Sequence, residues 1–120
     1  MAQAYLSPPT PKPMSVPAIT VEALAAARAE DREPALLDVR QFEERAIASL
    51  GGVHIPLGEL PERAGELEGF RGQPLIVYCR SGARSARAAE WLRTEGFDAH
   101  NLAGGTLAWS RSVDPALPTY

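Results

Sequence analysis

The sequence predicts an α/β protein in which a mostly parallel sheet carries helices on both faces. Short apolar runs alternate with stretches of helix-forming composition from residue 18 onward. Short strands that are separated by helices cannot pair as hairpins, so a parallel sheet is expected. A chain of 120 residues has room for one domain whose core needs no disulfide or metal, and one cysteine cannot form an internal bridge.

The chain divides into an arm, residues 1–17, and a domain, residues 18–120. The arm carries five prolines and few large apolar side chains, so we expect a flexible segment without regular structure and without chemistry. The domain holds all of the predicted strands and helices.

The first half of the domain begins with a short strand, after which Thr20 is placed to cap an alanine-rich helix. Pro56 closes the third strand, and Pro61 is tolerable because it lies in the first turn of the helix that follows. The elements predicted here are strands at residues 18–19, 36–39 and 52–55 and helices at residues 21–30, 41–47 and 57–67.

The second half begins with an apolar and β-branched run at residues 75–78, which predicts a buried strand. A helix is predicted at residues 83–95, and Gly96 is placed to end it. A last strand follows at residues 99–102. Two glycines then turn the chain into a final helix that begins over residues 106–110.

The most informative segment lies between the fourth strand and its helix, where the only cysteine meets a turn of small and cationic residues (CRSGARS, 79–85). Amide groups in such a turn, together with the helix dipole, can hold an anion, and a thiolate is one. Arg80 and Arg84 add positive charge, so Cys79 should ionise more readily than a free thiol of pKa roughly 8.5. Cys79 is therefore the candidate nucleophile, and the candidate substrate-binding residues are Arg80, Ser81, Gly82, Ala83, Arg84 and Ser85.

A lone cysteine is often a small buried hydrophobe instead. The two arginines, two serines and one glycine within the next six residues favour the reactive interpretation, because burying unpaired charges around an inert thiol would be costly.

Asp38 and Arg40 follow the second strand at the same edge of the predicted sheet. Ligands of parallel sheets bind beyond the carboxyl ends of the strands, so both residues are candidates for a supporting rim. A bracing role for this pair is an equal alternative, since rim charges often hold loops without touching substrate.

Composition narrows the function further. The net charge of −3 argues against nucleic acid as a partner, and the two histidines lack the spacing of a zinc site. Neither a signal-peptide core nor a run of membrane-spanning length is present, so we expect a cytoplasmic protein without membrane association.

Four segments in order resemble the single-domain rhodaneses: LLDVR at 36–40, IPL at 55–57, IVYCRSGARS at 76–85 and LAGGTLAW at 102–109. The resemblance covers about residues 18–120 and implies a three-layer α/β/α sandwich around a five-stranded, mainly parallel sheet. It also implies a thiosulfate sulfurtransferase in which Cys79 becomes a persulfide. Sulfur would pass from a donor such as thiosulfate to a thiophilic acceptor such as cyanide or a thiol, without an external cofactor.

Two alternatives accompany this interpretation. One is a persulfide relay module that serves a sulfur-carrier protein or a cofactor-biosynthesis partner. The other is a phosphatase or arsenate reductase, because the same sandwich resembles the Cdc25-type phosphatases. Four residues separate Cys79 from Arg84, one fewer than a Cys-x5-Arg phosphate cradle requires, which favours sulfur transfer.

The chain departs from the rhodanese pattern ahead of the third strand. Ala48 stands where many members carry a histidine. A role for that histidine is excluded here, whereas the Cys79 loop is unaffected.

Overall fold

The computed structural model describes residues 16–120 and shows a five-stranded parallel sheet with helices on both faces. The strands are β1 (Ala18–Ile19), β2 (Ala35–Asp38), β3 (Val53–His54), β4 (Pro74–Tyr78) and β5 (Asp98–Leu102). The helices are α1 (Val21–Ala29), α2 (Phe42–Ile47), α3 (Leu60–Arg63), α4 (Ala83–Thr94) and α5 (Gly105–Ser112). The predicted fold class is confirmed.

The strands are ordered β1-β5-β4-β2-β3, and every pair is parallel. β4 therefore lies at the centre, where Asp38 of β2 pairs with Tyr78 and Asn101 of β5 pairs with Val77. This topology brings the carboxyl ends of β2, β4 and β5 side by side, and Cys79 follows the middle one.

Two apolar clusters cover the two faces of the sheet. Alternation along β4 sends Leu75 and Val77 to one cluster and Ile76 and Tyr78 to the other. The first cluster joins the sheet to α3 and α4, and the second joins it to α1 and α5. The result is the three-layer sandwich that the resemblance implied.

The predicted helix at residues 57–67 is wrong as a continuous element. The segment consists of a 3₁₀ turn at Leu57–Glu59, the single α-helical turn of α3, and a longer 3₁₀ stretch at Ala64–Phe70. Gly58, Gly65 and Gly69 lie within it, and glycine in a helix interior costs about 1 kcal/mol relative to alanine. Anchoring by buried Leu60 and Leu67 holds the segment on the core without regular helical geometry.

The other predicted boundaries agree with the structure to within two residues. The capping role of Thr20 is confirmed, because its hydroxyl accepts a hydrogen bond from the amide of Ala23 at 3.1 Å. Gly96 ends α4 with φ +93°. No helix in residues 16–120 has both the length and the apolar character needed to cross a bilayer.

The predicted arm lies mostly outside the described residues, which begin at Val16. Val16 packs against the first apolar cluster, and the carbonyl of Pro17 accepts a hydrogen bond from the amide of Asn101 at 2.9 Å. These two residues lie beside the sheet at the edge of the domain.

Candidate active site

Cys79 lies directly after β4, and its Sγ atom faces a ring of hydrogen-bond donors. The amide of Gly82 lies 3.1 Å from Sγ, and the amide and hydroxyl of Ser85 lie 3.4 Å and 3.3 Å from it. Ser85 is in the first turn of α4, so two of the donors are backbone groups at or before the start of a helix, where the dipole favours negative charge.

These contacts lower the pKa of the thiol. Burial alone raises the pKa of Cys79, but the hydrogen bond from the Ser85 hydroxyl opposes it. The amides of Ser85, Gly82 and Ser81 act in the same direction. The net pKa lies below the ordinary value for cysteine, so the thiolate is more accessible than in a free thiol.

Cys79 has no exposed surface in this structure. Its side chain belongs to the first apolar cluster, yet its sulfur meets polar donors, unlike a thiol enclosed by hydrocarbon. Another molecule can therefore reach the sulfur only when part of the surrounding structure moves.

Backbone geometry at two glycines holds the loop in place. Gly82 has φ +102° where the chain curls under the sulfur. Gly105, at φ +59°, begins α5 so close to the loop that an added Cβ would lie 2.3 Å from the carbonyl oxygen of Cys79. The next two amides of α5 donate to the carbonyls of Cys79 and Arg80 at 3.0 Å each, which ties α5 to the loop.

Arg84 lies beside the loop and is paired with a residue that the sequence analysis did not select. Its Nη1 and Nη2 atoms donate to the two carboxylate oxygens of Glu44 at 2.7 Å and 2.8 Å. The hydrogen bond from Arg84, against the opposing effect of burial, holds the pKa of Glu44 at about 2. Glu44 also accepts from the amide of Gln41 at 2.9 Å, so the carboxylate fixes both α2 and the guanidinium.

Arg80 is exposed and contacts the last residues of the chain. Its Nε donates to the carbonyl of Thr119 at 3.1 Å, and its guanidinium lies 5.6 Å from the ring centroid of Tyr120. Thr119 and Tyr120 thus lie against Arg80 of the Cys79 loop.

Asp38 and Arg40 form a fully buried ion pair. The Nε and Nη2 of Arg40 donate to the two oxygens of Asp38 at 2.9 Å and 2.8 Å. Arg40 also donates to the carbonyls of Ala48 at 2.6 Å and Tyr120 at 2.7 Å. Burial lowers the pKa of Arg40, but its contacts with Asp38 outweigh burial, and the guanidinium stays charged.

The structure brings most of the predicted site residues together around one sulfur atom. Ser81 and Ala83 are exposed on the loop, Gly82 and Ser85 lie under the sulfur, and the Asp38–Arg40 pair braces the neighbouring β2 edge. The sequence analysis missed Glu44, which Gln41 marks three residues earlier as a helix-capping partner. It also missed Asn101 near the end of β5, whose side-chain oxygen accepts from the Ser85 hydroxyl at 2.6 Å.

Comparison with protein-family models gives a match to the rhodanese-like domain over residues 20–112. That match includes every residue of the site described above except the terminal segment that contacts Arg80.

Among curated proteins, the chain is similar to the adenylyltransferase and sulfurtransferase MOCS3-1 of Zea mays, with 44% identity over 77% of this chain and 21% of the maize protein. The chain thus spans about a fifth of the length of that relative. It is also similar to the putative sulfurtransferase YtwF of Bacillus subtilis strain 168, with 34% identity over 85% of this chain and 98% of YtwF.

Among solved structures, the chain resembles the rhodanese-like domain protein of Staphylococcus aureus. The two share 30% identity with a TM-score of 0.72, over 88% of this chain and 99% of the other. The likeness therefore extends over the whole of that protein.

Proposed function

Since the chain belongs to the rhodanese-like domain family, we propose that it is a sulfurtransferase in which Cys79 carries the transferred sulfur as a persulfide. The observation that carries this proposal is the set of three donors around Sγ, two amides and one hydroxyl. Such donors stabilise the thiolate before attack. Sulfur transfer in general is further supported by the names of the maize and Bacillus relatives.

With thiosulfate as the donor, the Cys79 thiolate attacks the outer sulfur of the dianion. A new S–S bond forms, the S–S bond of thiosulfate breaks, and its electron pair leaves with sulfite. The negative charge of the thiolate reappears on the outer persulfide sulfur, so charge is conserved. A thiophilic acceptor then removes that sulfur and restores the thiolate.

The arginines are proposed to attract the donor. Guanidinium groups bind the oxygens of anions in forked, charge-assisted geometry, and Arg84 and Arg80 flank the loop. Because Arg84 is paired with Glu44 and Arg80 with the terminal segment, we expect donor binding to displace one of these contacts. Displacement of the rim would also open the path to the buried sulfur.

The test compares wild-type protein with Cys79→Ser and with Thr94→Ala, a small control substitution away from the loop. Thr94 lies at the far end of α4, where its hydroxyl donates to the carbonyl of Trp91. We expect thiocyanate formation from thiosulfate and cyanide to fall to background in Cys79→Ser and to persist in Thr94→Ala. Undiminished activity in Cys79→Ser would overturn the proposal.

A second candidate is a persulfide relay whose acceptor is a protein. Cys79 is completely buried, so a protein acceptor, like a small one, reaches it only after the surrounding structure moves. The observation that favours this candidate is the maize relative, since its name joins sulfur transfer to adenylyl transfer in one protein. Under this candidate, intact-mass analysis shows a gain of about 32 Da on Cys79, while turnover with cyanide is slow.

The same mass measurement separates both candidates from a phosphatase. Incubation with thiosulfate should add one sulfur atom to wild-type protein and none to Cys79→Ser. Hydrolysis of p-nitrophenyl phosphate without a sulfur adduct would instead favour phosphate chemistry. The cytoplasmic location stays a prediction from the sequence.

A further inference from the structure

Asn101 contacts both parts of the loop that holds the sulfur. It lies in β5, where it pairs with Val77 of the central strand. Its Oδ1 accepts from the Ser85 hydroxyl at 2.6 Å, and its Nδ2 donates to the carbonyl of Gly82 at 3.2 Å. One side chain thus connects the two residues whose groups surround Sγ.

The carbonyl of Gly82 fixes the orientation of the Asn101 amide. A carbonyl oxygen only accepts hydrogen bonds, so the NH2 group must face it. The opposite orientation would place two oxygens 3.2 Å apart. Oδ1 therefore faces Ser85, and because Oδ1 also only accepts, the Ser85 hydroxyl must donate to it.

The Ser85 hydroxyl also lies 3.3 Å from Sγ of Cys79. A hydroxyl group has one proton, so it cannot donate to Sγ and to Asn101 at the same time. While Cys79 is a thiol, the S–H group can donate to the Ser85 oxygen, and Ser85 can keep its short bond to Asn101. Once Cys79 is a thiolate, the Ser85 proton stabilises the sulfur only by leaving Asn101.

We propose that Asn101 is a positioning residue that competes with the Cys79 thiolate for the proton of Ser85 and thereby sets the balance between thiol and thiolate. By accepting the hydrogen bond from Ser85, Asn101 favours the states in which Sγ of Cys79 is uncharged, namely the thiol and the persulfide. The two amides of the loop continue to hold the sulfur in either state.

The same competition would also affect sulfur transfer, and this role of Asn101 in turnover rests on the proposed function. When the thiolate attacks a sulfur donor, the negative charge moves from the inner sulfur to the outer one. The Ser85 hydroxyl then returns to Asn101, because the inner sulfur no longer attracts the proton as strongly. Asn101 thus stabilises the persulfide relative to the free thiolate.

Substitution of Asn101 leaves the charged groups around the sulfur unchanged. The charged side chains on the loop, on α4, on α2 and at the end of β2 are Arg80, Arg84, Glu44, Asp38 and Arg40, and of these Arg84 interacts electrostatically with Cys79. A shift in titration after a change at Asn101 is therefore not caused by the loss or gain of a charged neighbour.

The test measures the titration of Cys79 directly. The chain has one cysteine, so protein labelled with 13C at cysteine Cβ gives one resonance whose chemical shift follows ionisation of the thiol. Wild-type protein, Asn101→Leu, Ser85→Ala and the double variant are compared over pH 5–10. Leucine matches the shape of asparagine without its amide, and Asn101→Ala serves if the leucine variant does not fold.

In Asn101→Leu we expect the pKa of Cys79 to fall by about half to one unit, the worth of one neutral hydrogen bond. In the Ser85→Ala background the same substitution should produce no shift, because there is no hydroxyl proton to contest. A rise or no change in the first comparison, or an equal shift in both backgrounds, would overturn the proposal. This titration requires no sulfur donor, so its outcome is independent of whether thiocyanate forms.

Discussion

Replacing Arg40 with methionine should destabilise the protein more than the loss of any surface arginine. The substitution leaves Asp38 as a fully buried carboxylate whose remaining cationic neighbour among residues 16–120 is Arg45, at 3.3 Å. The carbonyls of Ala48 and Tyr120 lose a donor as well. Removing one partner of a buried ion pair typically costs about 3–5 kcal/mol, which for a domain of this size lowers Tm by about 12–20 °C.

Urea unfolding monitored by circular dichroism measures the effect. Arg63→Met is the matched control, because Arg63 also bridges two acceptors, Glu59 and Glu66, at 2.9 Å and 2.8 Å but is exposed to solvent. Ion pairs at the surface contribute little to stability, so the control should remain close to wild type.

A double variant, Asp38→Asn with Arg40→Met, distinguishes the loss of the arginine from the burial of an unpaired charge. Its loss of unfolding free energy should be smaller than the sum of the losses in the two single variants. The double variant leaves neither an unpaired carboxylate at position 38 nor an unpaired guanidinium at position 40. If Arg40→Met cost no more than Arg63→Met, or if the two changes at Asp38 and Arg40 were additive, the reasoning from buried charge would be refuted.

Two further predictions concern the rim and the loop. Glu44 has a folded pKa of about 2 instead of the ordinary 4.5, so it contributes stability that is fully present above pH 4.5 and is lost as the pH falls toward 2. Glu44→Gln should therefore flatten the dependence of unfolding free energy on pH in that window. A curve as steep as that of the wild type would contradict the prediction. Gly105→Ala should destabilise by more than about 1–2 kcal/mol, because alanine is strained at φ +59° and its Cβ would meet the carbonyl of Cys79. Gly69→Ala, where an added Cβ meets nothing within 4 Å, is the control, and equal urea midpoints for the two variants would disprove the close approach.

The sequence was sufficient to predict the succession of strands and helices along the chain. Each strand shows as a local apolar run, and each helix shows as a stretch of helix-forming composition. The segment at residues 57–70 was not predictable in the same way. There Leu60 and Leu67 provide helix-like apolar spacing while three glycines weaken the helix, and packing on the core decides the outcome.

The candidate site divides along the same line. Cys79, Gly82 and Ser85 lie within seven consecutive residues, so their meeting follows from one turn between a strand and a helix. Glu44 reaches Arg84 across 40 positions of sequence, and Asn101 reaches Ser85 across 16. Such contacts depend on the order of the strands within the sheet, and short sequence motifs do not specify that order.

The principal stabilisation of the Cys79 thiolate comes from neutral groups at short range. The sequence suggested that two arginines would favour ionisation. In the structure Arg84 forms an ion pair with Glu44, and the groups that mainly lower the pKa of Cys79, against the effect of burial, are Ser85 and the loop amides. Dipoles fixed by a turn and a helix start are already aligned when charge appears on the sulfur, whereas a flexible guanidinium must be brought into place.

This division assigns different tasks to the two kinds of group. The amides and the hydroxyl stabilise charge on a buried sulfur atom, where salt screens little. The arginines are proposed to attract an anionic donor at the protein surface, where salt screens strongly. If that is so, rising ionic strength should weaken the binding of an anionic sulfur donor while leaving the pKa of Cys79 nearly constant. The reactivity of the thiol and the affinity for its donor are then separately adjustable properties of one seven-residue loop.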